Sequence, residues 1–109
     1  MFARILEVTP RMEKKDEFIK TVRQQIHPIL KKQPGFLEMV PLIPEAADAK
    51  WIALTLWTEK HHAETYLREV YPKVEQIMKP FLVGEALFRT FNVETSVCEH
   101  LVEALTTHA

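Results

Sequence analysis

Cysteine is almost absent from this 109-residue chain, where Cys98 stands alone. One thiol can close no disulfide within the chain and cannot build a cysteine-based zinc site. Glycine is nearly as scarce, with only Gly35 and Gly84. A dinucleotide-binding fingerprint and a phosphate-binding loop both need clustered glycines, so neither is present. An excess of one charge is missing too: 14 basic and 15 acidic side chains leave a formal net charge of −1. With no cationic surplus to neutralise phosphates, a nucleic-acid partner is not expected. No apolar run approaches the roughly 18 residues of a membrane span, so no membrane partner is expected. The opening MFARILEVTP lacks a basic stretch followed by a long apolar run. It does not read as a secretory signal, and the expected compartment is the cytoplasm. Repeats and linkers are also lacking. The polar stretch 44–50 is too short to act as an interdomain linker, so a single domain over 1–109 is expected.

What the chain has in quantity is apolar alternation, punctuated by 7 prolines. Residues 2–9 read as a strand with Phe2, Arg4, Leu6 and Val8 on one face. From about Met12 the period becomes helical, through Phe18, Ile19, Val22, Ile26, Ile29 and Leu30. Pro28 should kink or end this helix, and Pro34-Gly35 stops it. Residues 36–43 form a second strand, with Pro41 pointing to an edge or bulged position. Residues 50–58 are the clearest strand, largely apolar on both faces, so both faces need cover. A helix over 59–71 follows, and Pro72 can open a further turn or two toward Met78. Residues 85–93 make a fourth strand. A last helix is expected over about 96–106, capped by Thr95 or Ser96, with Val97, Leu101, Val102 and Leu105 as its apolar stripe.

Strand, helix, strand, strand, helix, strand is the split βαβ order of the ferredoxin-like α+β fold. Four strands form one antiparallel sheet with helices over one face. The other face stays apolar and open, which predicts a homodimer joined through sheet faces.

The run Trp51-Ile-Ala-Leu-Thr-Leu-Trp57-Thr-Glu-Lys-His-His-Ala-Glu-Thr-Tyr66-Leu67, together with Pro34-Gly35-Phe36, resembles the antibiotic biosynthesis monooxygenase family over about residues 2–93. The resemblance implies a dimeric α+β barrel and a small apolar or aromatic ligand held between sheet and helices. For the oxygenase members it implies chemistry on quinols, polyphenols or polyketides without metal or flavin, so no cofactor is expected. The alternative is a non-catalytic dimer that binds a small molecule or serves as a structural module. Heme-degrading members use an Asn on the first strand, a Trp on the second helix and a His ten residues further on. Those positions here are Arg4, Tyr66 and Gln76, and an amide is a poor replacement for an axial imidazole. Quinol-type members often carry His where Tyr66 and Tyr71 stand.

On this reading the catalytic candidates are His62, Tyr66 and Tyr71. His62 lies one helical turn before Tyr66 and can act as its base. The substrate-binding candidates are Arg4, Trp57, Met78, Phe88 and Asn92, with Arg4 as an anchor for a carboxylate or enolate. Otherwise Arg4 pairs with Glu7 or Glu38, or snorkels at the sheet edge. Trp51 reads as core or interface, and His27, His100 and His108 as surface residues. Adjacent His61 and His62 should point about 100° apart on a helix, so no metal site is expected.

Overall fold

The computed structural model describes residues 1–98, 100 and 103–105. Strands β1 (Phe2–Val8), β2 (Phe36–Leu42), β3 (Trp51–Trp57) and β4 (Leu87–Asn92) form one antiparallel sheet in the order β2-β3-β1-β4. This is the expected ferredoxin-like α+β arrangement. β1 is central, and Arg4 faces Thr55 on one side and Thr90 on the other. Strand alternation therefore puts Phe2, Arg4, Leu6 and Val8 on the same face as Trp51, Ala53, Thr55 and Trp57. Helices cover that inner face, and the main apolar core lies between the two layers. β2 is an edge strand, which is why Pro41 can sit opposite Ala53 without breaking a second ladder.

Between β1 and β2 the helical run is interrupted in its winding but not in its course. A 3₁₀ turn at Met12–Lys14 leads into α1 (Lys15–Thr21), then a π turn at Val22–Ile26, then α2 (His27–Lys31). Pro28 sits in the first turn of α2. Its ring nitrogen carries no proton, so the carbonyl four residues earlier would lose its α-helical donor. The wide turn takes up this defect: the His27 N–H donates to the Val22 carbonyl, five residues back. Pro28 thus neither ends the helix nor leaves it regular.

The second helical segment divides at Val70 into α3 (Lys60–Glu69) and α4 (Tyr71–Met78), with Pro72 in the first turn of α4. The fourth strand is shorter than expected, beginning at Leu87. The helix expected over 96–106 falls partly outside the described residues, as do Leu101, Val102 and His108. Within them, Thr95–Val97 is a 3₁₀ turn, and positions 100 and 103–105 are helical. The expected capping is corrected: the Ser96 hydroxyl donates to the Glu94 carboxylate at 2.9 Å. Val97 is 84% exposed and so does not belong to an apolar stripe. Among the described residues no helix is long and apolar enough to cross a membrane.

The turn before β2 locks the two halves of the fold together. Gly35 has φ +77, and its carbonyl accepts the Thr58 N–H at 2.8 Å. A Cβ at this position would overlap the His62 ring. Gly35 thus meets two demands, a left-handed backbone and a close approach to α3. Gly35→Ala is expected to destabilise the protein by about 2 kcal/mol or more in urea unfolding. Adding His62→Ala should recover the share due to overlap and leave the share due to φ.

Candidate active site

A cavity of about 350 Å³ lies between the inner sheet face and the helices. That is near the small end of the ~300–1,000 Å³ typical of small-molecule sites. Arg4 and Leu6 of β1 and Trp51 and Thr55 of β3 floor it. The stretch from Phe18 to Leu30 forms one wall, where Val22, Arg23, Ile26 and His27 face inward along and just after the π turn. Tyr66 of α3, with Tyr71, Val74 and Met78 of α4, forms the other. Phe88 of β4 closes that side, its ring edge-on to Tyr71 at 5.0 Å. Most of the lining is apolar; among its polar side chains Arg4, Tyr66 and Tyr71 are buried, whereas Arg23 and Glu38 are exposed.

Arg4 is the deepest of these. It is 6% exposed, although its strand neighbours are apolar. Neither expected carboxylate holds it. Glu7 points to the opposite sheet face and lies 3.6 Å from Arg89, while Glu38 accepts its neighbour's N–H, that of Met39. Because β1 is central, Arg4 cannot reach a sheet edge either. Instead Nη1 donates to the Ala63 carbonyl of α3 at 2.8 Å, and Nε has no hydrogen-bond partner. Burial lowers the guanidinium pKa, an effect opposed by Glu64 and then Tyr66.

The two tyrosines stand side by side, ring centroids 6.3 Å apart. Burial holds the Tyr66 hydroxyl far above the ordinary phenol range; Tyr71 adds to the shift and Arg4 opposes it. Burial, and then Glu75, pushes the Tyr71 hydroxyl up to about 12. Both are therefore neutral donors at physiological pH. The Tyr71 hydroxyl is buried without a partner.

Four other candidates differ in their placement. Met78 and Phe88 line the cavity with the tyrosines and Arg4. Trp57 lies behind them, wholly buried between Phe36 at 5.6 Å and Tyr66 at 5.4 Å. Its indole N–H donates to the Thr55 hydroxyl at 3.0 Å, which in turn donates to the Arg4 carbonyl at 3.4 Å. Asn92 is exposed at the end of β4 and is not in the lining.

His62 packs on Gly35 and is also not in the lining. Its neighbour His61 stacks on it at 4.1 Å, which corrects the expectation that adjacent imidazoles point apart. Glu59, extended just before α3, draws both rings: it lies 3.4 Å from His61 and 3.9 Å from His62. The three ligand atoms fall within 4.8 Å of one another on a largely exposed surface away from the cavity.

Thr55, Trp51 and His27 are lining residues that the sequence pattern does not assign to the site. A polar Thr at an inward position of an apolar strand is a usable signal for the first. Nothing in the spacing marks His27, because the π turn shifts the helical phase at that point. Gln76, the position of a heme-degrader's axial His, is exposed and outside the lining. Heme ligation at that position therefore does not fit this chain.

The antibiotic biosynthesis monooxygenase family profile matches residues 1–73. Solved structures agree in fold. An antibiotic biosynthesis monooxygenase-like protein from Nitrosomonas europaea is 12% identical with a TM-score of 0.71, covering 86% of this chain and 99% of that one. The heme-degrader MhuD from Mycobacterium tuberculosis, with two hemes bound in its active site, is 18% identical with a TM-score of 0.71, covering 86% and 96%. A mutant of SnoaB, a cofactor-independent oxygenase from Streptomyces nogalater, is 16% identical with a TM-score of 0.69, covering 88% and 95%. Comparison with curated proteins finds no match.

Tyr71→Phe removes an unpaired buried hydroxyl and is expected to stabilise the protein by about 1 kcal/mol at pH 7. The folded-state pKa of Tyr71 lies above the ordinary value near 10. The unfolded chain therefore releases this proton first, and stability falls as pH rises from about 10 to 12. Urea midpoints across that window should show the advantage of Tyr71→Phe widening with pH.

Proposed function

The chain belongs to the antibiotic biosynthesis monooxygenase family, and from that premise we propose that it oxygenates a small aromatic, quinol-like substrate without a cofactor. The observation that carries this reading is that two residues lining one mostly apolar cavity, Arg4 and Tyr71, each hold an unsatisfied buried group, Nε and the hydroxyl. Leaving such groups unpaired costs stability, and a ligand with an oxygen in that position would satisfy them.

The substrate itself is the reductant. A quinol loses a proton, and its electron-rich anion forms a C–O bond to dioxygen at a ring carbon. The resulting peroxide breaks its O–O bond: the proximal oxygen stays on the ring carbon and the distal oxygen leaves as water with two protons from the quinol, so quinol plus dioxygen gives hydroxyquinone plus water. All four electrons come from the substrate. Arg4 and the neutral hydroxyls of Tyr66 and Tyr71 stabilise the oxyanion, where preorganised donors in a dry site are most effective. His27, the imidazole on the cavity wall, takes the first proton. Trp57 fixes the Tyr66 ring from behind, and Met78 and Phe88 shape the apolar space.

Members of the family are commonly dimers, and the outer sheet face of this chain suits one. Leu42 and Leu87 are each 49% exposed and Phe91 is 43% exposed. A twofold pairing through this face would bury them together. Native mass spectrometry is expected to give twice 12.7 kDa, and Phe91→Asp to shift the population to monomer.

Oxygen uptake with a panel of hydroquinones tests the activity. Tyr66→Phe and His27→Ala are each expected to lower kcat by about 10²-fold. His62→Ala should leave it within about twofold. No uptake with any hydroquinone would reject catalysis and leave a small-molecule binder.

A further inference from the structure

Arg4 is a buried cation with no buried anion. Its guanidinium has five N–H donors and always carries its charge in a protein. One donor reaches the Ala63 carbonyl, and Nε reaches nothing. Its strand partners, Thr55 and Thr90, are neutral. Glu64, the carboxylate whose field it feels most, is half exposed and lies 3.6 Å from Lys60. Among the described residues no carboxylate comes within ion-pair reach of Arg4. Buried charges in stable proteins are paired, because an isolated one is costly to desolvate. The guanidinium carbon lies over the Phe2 ring, 5.8 Å from its centroid, and Arg4 also borders the cavity. The Tyr71 hydroxyl, on another lining residue, is a second buried donor left over. Elsewhere in the lining the negative charge of Glu38 is offset by that of Arg23.

We infer that the cavity binds its ligand as an aromatic oxyanion, a carboxylate or phenolate whose charged oxygen supplies the counter-ion that Arg4 lacks. This rests on the cavity being the binding site and does not depend on turnover. Tyr71, which also lines the cavity, holds a second donor without a partner. A neutral aromatic of the same shape fills the apolar space but leaves the guanidinium unpaired.

Two probe sets test this and distinguish the source of the charge. The first compares 2-naphthoate with 2-naphthamide, which differ in charge and scarcely in shape, by titration calorimetry. Naphthoate is expected to bind at least about tenfold more tightly. The second titrates 4-nitrophenol, whose ionised form absorbs visible light, and its ionisation should shift to lower pH on binding. A charge preference in either set supports the inference; the first alone points to a ready-made carboxylate, the second alone to a phenolate formed in place. Arg4→Met should abolish the preference while retaining naphthamide binding. Arg4→Lys, which keeps the charge but not the fork, should retain some of it, and a thermal melt checks that both variants fold. Equal binding of naphthoate and naphthamide with no shift for nitrophenol would overturn the inference, as would no binding of any probe. Failure of the oxygenase reading shows separately, as a protein that binds these probes but consumes no oxygen with hydroquinones.

Discussion

The hydrogen bond from Arg4 to the Ala63 carbonyl spans 59 residues of sequence and ties the central strand to α3. The long Arg4 side chain stands on the inner sheet face and reaches across to α3. The space beside it, between α3–α4 and the π-wound helix, becomes the cavity. The donor is charged and the acceptor is a helical carbonyl, so the bond is stronger than a neutral pair. It also leaves most of the guanidinium's capacity unspent. The same side chain thus ties the sheet to α3 and borders the cavity.

Trp57 supports that arrangement from the other side. Its ring fills the space between Phe36 and Tyr66, and its indole N–H is satisfied by Thr55. A buried Trp needs such a partner. Here the partner lies two residues back along the same strand, on the same face. The consequence is a rigid backing for Tyr66, whose ring is held against the cavity while its hydroxyl keeps its proton. At the start of α3, Gly35 admits the His62 ring against the backbone. That contact fixes the beginning of the helix and holds His62 outside the cavity.

Within one small domain, groups that stabilise and groups that cost stability are set apart. Trp57, outside the cavity lining, is wholly buried. The unsatisfied atoms, Arg4 Nε and the Tyr71 hydroxyl, belong to residues that line the cavity. Such strain gathers at binding sites because a ligand can relieve it, whereas elsewhere nothing would. The π turn follows the same pattern. It departs from ideal helix geometry next to Pro28, and residues in and beside it face the cavity.

Strand alternation, helical period and proline–glycine punctuation are local properties, and they were enough to determine element order and the α+β class. Arg4, Tyr66, Tyr71, Met78 and Phe88, which line the cavity, were legible as site residues through the family resemblance together with strand and helix face. The placement of His62 and His27 was not. Helical phase puts His62 on the same face as Tyr66, but the approach of Gly35, from a turn far away in sequence, gives it a different neighbour. His27 reads as a surface residue until the π turn rotates the chain by one position. Trp57 and Trp51 share a strand face, yet only the packing of Phe36 and Tyr66 decides that Trp57 is sealed and Trp51 borders the cavity. Tertiary structure alone could decide these cases, because each depends on which distant backbone arrives alongside, and no period within a single element carries that information.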